Sequence, residues 1–138
     1  MKPRIAIVAM TLTMAACTAV NVDPVADSSD LGTVCIVENP KVVVADFIAV
    51  VEGRFKHHGV ATKLVQDRKG CNTTLDYTAE RSWDLKPFLD YAQLTLRRDG
   101  VLIGSAEYRN RGGFTVTKYA GTASKMNPVV DELLGVEE

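Results

Sequence analysis

One helical stripe between two β-rich runs constrains the fold of this chain more than any other feature. TVCIVE, residues 33–38, is apolar and β-branched, as a strand requires. Asn39-Pro40 then reads as a helix start, an N-cap followed by proline at the first helical position. Val44, Phe47, Ile48, Val51 and Phe55 recur at offsets that place them on one side of a helix. Lys56, His57 and His58 occupy its last turn, where cations suit the helix dipole, and Gly59 ends it. VATKLV, residues 60–65, is a second short strand. Residues 33–65 are therefore expected to form a βαβ unit with parallel strands.

The second half is antiparallel in character. Leu75, Tyr77, Ala79 and Trp83 keep strand parity along residues 73–83. YAQLTLRR and VLIGSAEYR flank Asp99-Gly100, a strong hairpin signal. A two-residue loop would put Leu94 and Leu96 on a face with Glu107. A three-residue loop with Gly100 in the left-handed region would align Leu94, Leu96, Leu102, Ala106 and Tyr108. The second register is expected, because it gathers the apolar side chains. Met126, Val129, Val130, Leu133 and Leu134 form a last helical stripe, capped by Thr122 or Ser124 and ended near Gly135. Pro128 would fit only in its first turn. The order β-α-β-β-β-β-α predicts an α/β (α+β) fold: a two-layer sandwich with a mixed sheet and two helices on one face. The expected domain is single and spans 33–138.

Net charge is −1 over 138 residues, with 16 basic and 17 acidic side chains. Removing Lys2 and Arg4 with an N-terminal segment leaves 14 against 17, or −3. Neither value supplies the basic excess that phosphate neutralisation needs, so nucleic acid is not an expected partner. Residues 1–16 show a positive n-region, a short apolar run at 5–12 and small residues before Cys17. That order describes a secretory signal, too short to span a bilayer. Met14-Ala15-Ala16-Cys17 resembles a bacterial lipobox, which implies cleavage before Cys17 and acylation of its thiol and new amino group. Met14 stands where leucine is usual. The alternative is ordinary cleavage near Ala15 or Ala16 and a soluble periplasmic product. By the same resemblance Thr18 implies sorting to the outer membrane, with the domain facing the periplasm. Residues 17–32, with Pro24, Ser28, Ser29, Gly32 and three aspartates, read as the lipidated cysteine and a flexible tether.

Cys35 and Cys71 remain. An exported chain meets an oxidising compartment, so a structural disulfide between them is expected. Free buried thiols, a metal pair with His57 and His58, or a redox dithiol are the alternatives. Zinc spacing and a CxxC motif are both missing from the sequence.

The element order is similar to the N-terminal domain of TolB and to LpoB-type periplasmic domains, a resemblance of architecture alone. VENPKVVVADF (37–47), YTAERSWDLKPFL (77–89), AQLTLRRDG (92–100), SAEYR (105–109) and SKMNPVVDELL (124–134) resemble an uncharacterised group of short proteobacterial lipoproteins, the Sbal-type lipoprotein domain. The resemblance covers about residues 33–134. It implies a lipoprotein without an assigned activity and supplies no catalytic residues.

Chemistry-bearing residues are sparse. His57 and His58 point about 100° apart on a helix and do not converge. Gly104-Ser105-Ala106 lacks the flanks of a nucleophile elbow, and Ser124-Lys125 fits helix capping better than a dyad. Asp76, Glu80 and Asp84 share one strand face, expected to be solvated. Gly112-Gly113 is no phosphate loop. No cofactor, metal site or catalytic residue is expected. Arg81-Ser82-Trp83-Asp84 holds the sole tryptophan. Core packing of Trp83 competes with a recognition role for Arg81, Trp83 and Asp84, and Phe114 could be a further loop-borne contact. The leading expectation is a non-enzymatic envelope lipoprotein, an adaptor or assembly module bound to the membrane through Cys17, with another envelope protein as its candidate partner. A small-ligand or glycan binder using Arg81, Trp83 and the acidic strand face is the second reading. A hydrolase using His57 or His58 is the third.

Overall fold

The computed structural model describes residues 18–112 and 116–136. Six strands form one open mixed sheet: β1 Thr18–Asp23, β2 Val34–Val37, β3 Thr62–Val65, β4 Thr73–Asp84, β5 Lys86–Arg98 and β6 Val101–Asn110. Their spatial order is β1-β6-β5-β4-β2-β3. β2 runs parallel to both β3 and β4, and the other pairings are antiparallel. Helices α1, Phe47–His57, and α2, Thr122–Leu133, pack together on one face. The α+β two-layer fold expected from the sequence is the fold observed.

The core lies between helices and sheet. Phe47, Val51 and Phe55 of α1 and Met126, Val129, Val130 and Leu133 of α2 are buried against Val34, Ile36, Leu75, Leu94 and Leu96. Each such side chain contributes about 1.5–3 kcal/mol through removal from water. β2 is central, so Val34 and Ile36 face the helices while Cys35 faces the other side and is also buried. Cys35 and Cys71 are joined by a disulfide, with Cα atoms 6.1 Å apart. The other thiol readings are thereby removed.

The tether is corrected over its described part. Thr18–Asp23 is β1, an edge strand paired with β6 from Thr18–Asn110 to Asp23–Ser105. Val25 and Leu31 are buried, and Val25 N–H donates to Leu133 O. Two valines in TAVNVD are too short a pattern to read, and the strand exists because β6 supplies its partners. Gly104 makes room for it: a Cβ there would lie 2.8 Å from Val25 Cγ1 and 3.3 Å from Asp23 O.

α1 starts at Phe47, not at Pro40. Asn39 caps a turn instead, its Oδ1 accepting from Lys41 N–H. Its Nδ2 donates to Tyr77 O and its backbone N–H to Tyr77 Oη. The three valines 42–44 lose side-chain freedom in a helix, which favours a path outside one. The β5–β6 register combines both expected loops. Asp99 and Gly100 both have positive φ, at 49° and 79°, which makes a two-residue turn with Arg98 opposite Val101. A bulge then admits Ile103 as an extra residue, so Leu96 meets Gly104 and Leu94 meets Ala106. Leu102 is left exposed rather than aligned with them. Pro128 lies inside α2, beyond its first turn. Burial of the apolar stripe offsets a cost of about 3 kcal/mol for an interior proline. The N-cap is Gly121, without a side-chain bond, and Thr122 Oγ1 donates to Asp46 Oδ1 at 2.8 Å instead.

Candidate functional site

The antiparallel pairing of β4 and β5 carries both strands past the body of the sheet. A bulge with Asp90 as the extra residue falls between the Glu80–Tyr91 and Arg81–Leu89 pairs. Beyond it the strands run on to Asp84–Lys86, and the chain reverses at Leu85, φ 53°. The RSWD segment therefore forms one arm of a projecting hairpin. Trp83 is 75% exposed and Leu85 88% exposed, which removes the core role for Trp83. Arg81 and Asp84 are exposed beside it. Cys17 and Phe114 lie outside the described residues.

The hairpin is propped from one side. Phe88 packs edge-on against Tyr119, ring centroids 5.9 Å apart, from the 3-10 helix Val116–Tyr119. Lys118 Nζ sits 4.8 Å from the Phe88 centroid and bonds Asp84 Oδ2 at 2.5 Å. That ammonium lowers the Asp84 carboxyl below its ordinary value, and the carboxylate raises Lys118 in return. Lys86 Nζ lies over the Tyr119 ring at 5.1 Å. Lys125, buried in α2, donates from Nζ to Leu89 O at 3.1 Å and to Lys118 O at 2.5 Å. Burial pushes its ammonium below the usual lysine range. Ser124-Lys125 is thus neither dyad nor cap, since Lys125 ties the hairpin base to α2.

The other groups singled out by the sequence are taken up in separate pairings. His58 Nε2 meets Asp131 Oδ1 at 2.6 Å, and Arg54 grips the same carboxylate through Nε at 2.5 Å and Nη2 at 2.7 Å. This ionic clasp joins α1 to α2. Its Asp131 was invisible in the sequence, because the partners are more than seventy residues apart. Asp76 is neutralised by Arg68 and Arg97, and Asp84 by Lys118, so the acidic strand face is divided among separate ion pairs. Among the described residues no three His, Cys, Asp or Glu groups are arranged to hold a metal. Shallow clefts of about 500 Å³ lie at Glu52, Lys56 and Thr62 and at Arg68, Asn72 and Arg97, away from Trp83.

No family model matches the chain, and no curated protein does. Solved structures of similar fold include PelC dodecamers from Paraburkholderia phytofirmans. A point variant of PelC superposes with a TM-score of 0.54 at 12% identity, covering 81% of this chain and 96% of that one. A second PelC structure gives 0.52 at 10% identity, covering 81% and 97%. At these identities the likeness concerns the fold.

Proposed function

We propose that this chain is a lipid-anchored envelope protein of the outer membrane that faces the periplasm and works by binding, as an adaptor or assembly module. The Cys35–Cys71 disulfide is the observation that carries this reading. It fits an oxidising compartment. It also consumes two of the three cysteines and leaves the odd one directly after Ala15-Ala16, where the lipobox resemblance needs it. The resemblance to short Sbal-type lipoproteins points the same way. Acylation with more than one chain would hold the domain stably at the bilayer. The projecting hairpin carrying exposed Trp83 supports action through contact surfaces, since tryptophan and arginine favour binding hot spots. PelC of similar fold is a dodecamer, which supports self-association of this chain as one form of assembly.

Mass spectrometry of the mature protein tests the anchor. The expected species begins at Cys17 with added acyl mass. An unmodified N-terminus at any other residue overturns the lipoprotein reading. Crosslinking in cells and light scattering of the purified protein test the binding role. Recovery of neither an envelope protein nor a second copy overturns it.

A further inference from the structure

The tip of the β4–β5 hairpin is the most exposed apolar feature among the described residues. Its frame is held by Phe88–Tyr119 packing, the Asp84–Lys118 pair and the Lys125 bonds, yet Trp83 and Leu85 touch little of it. Leu85 also occupies left-handed backbone, φ 53°, which its Cβ makes unfavourable. Glycine or asparagine would sit there more easily. Conformation and hydration both oppose a leucine at this point unless something apolar covers it.

The sheet register identifies the cover. Ala19, Arg109, Tyr91 and Glu80 form one row across β1, β6, β5 and β4. Past that row β4 continues four residues to Asp84, roughly 13 Å of strand. On β1 the chain continues in the same direction through Thr18, and Cys17 is covalently next, at most about 3.8 Å away. The hairpin thus extends roughly 10 Å further than Thr18 toward the same side. Interfacial elements bury their apolar side to a similar depth, about 5–10 Å. The charge of this end is also suited to a lipid surface. Beyond the row stand Arg81, Lys86, Arg111 and Lys118 against Asp84 and Asp90, a local positive excess in a chain of net charge −1.

We infer that the β4–β5 tip is a membrane-docking element. Trp83 and Leu85 seat in the headgroup region of the surface that holds Cys17, and Arg81 and Lys86 meet its phosphates. Tryptophan prefers this interface, and anionic lipid attracts nearby cations. The inference rests on the Cys17 anchor for proximity, because one hairpin tip buries little area by itself.

Trp83 is the sole tryptophan, so its emission reports this site alone. The acylated chain is reconstituted in phosphatidylethanolamine–phosphatidylglycerol vesicles. In parallel the Cys17→Ser chain is held on vesicles containing nickel-chelating lipid by a hexahistidine tag placed before residue 17. In both, Trp83 emission is expected to shift to shorter wavelength, lose access to iodide and be quenched by brominated acyl chains. Leu85→Asp, at an exposed position, should reverse these changes while leaving the unfolding midpoint unchanged. Quenching of the tagged chain when native Cys17 carries no lipid would sink the anchor and keep the docking. Bound, acylated protein with Trp83 as open to iodide as in solution overturns the docking and keeps the anchor. Loss of iodide access that depends on protein concentration and needs no lipid assigns the tip to a contact between copies, which also overturns it.

Discussion

Removing the Cys35–Cys71 disulfide by the double substitution Cys35→Ala, Cys71→Ala should cost about 4 kcal/mol of stability. The bond links positions 36 residues apart, and α1 and β3 lie inside the loop it closes. The chain-entropy relation for a loop of that length gives about 3.8 kcal/mol at room temperature. The folded state does not need the bond to hold its shape. Cys35 already sits in β2 between β3 and β4, with Ile36 opposite both Leu64 and Leu75. The loss therefore falls on the unfolded chain, which gains conformational freedom. For a domain of this size the melting temperature should drop by about 15 °C. Urea denaturation followed by circular dichroism measures both quantities, and the double variant should also show a steeper denaturant dependence because its unfolded state is more expanded. A loss below about 1 kcal/mol with an unchanged slope would refute the entropic account.

Two further outcomes test packing and charge. Asp131→Asn should destabilise by about 2 kcal/mol at neutral pH, because it removes the carboxylate charge and puts a donor in place of one of the two oxygens that accept from Arg54 and meet His58. Arg54's hydrogen bond holds the Asp131 carboxyl below its ordinary 3.8 despite opposing burial, so its stabilisation is present above that value and is lost as pH falls through the lowered folded value. Acid denaturation curves of wild type and variant should therefore converge in acid, and a gap that persists there contradicts the ionic clasp. Gly104→Ala should cost about 1–3 kcal/mol, since its Cβ would press on Val25 Cγ1, Asp23 O and Leu133 Cδ1. Thermal unfolding reads this directly, and a neutral result would mean that residues 18–25 are not seated on the sheet.

Short-range pattern determined the elements of this protein. The α1 stripe, the Asp99-Gly100 turn and the α2 stripe each repeat within a few residues, so periodicity alone placed two helices on a mixed sheet. The pairing of Cys35 with Cys71 was equally legible, because two cysteines in one exported domain leave little choice of partner. Tertiary structure decided what depends on distant partners. β1 is a strand because β6 offers it an edge and Gly104 leaves it space, and TAVNVD carries too little apolar pattern to announce that. Pro128 sits inside a helix because four buried neighbours outweigh its missing hydrogen bond. Ile103 bulges because that lets the turn and the core face coexist. Trp83 was noticed in the sequence for its rarity, but residue type could not say whether it packed inside. Its exposure follows from β4 and β5 pairing beyond the reach of the helices, and its position at the same end of the sheet as Thr18 follows from a register that spans four strands.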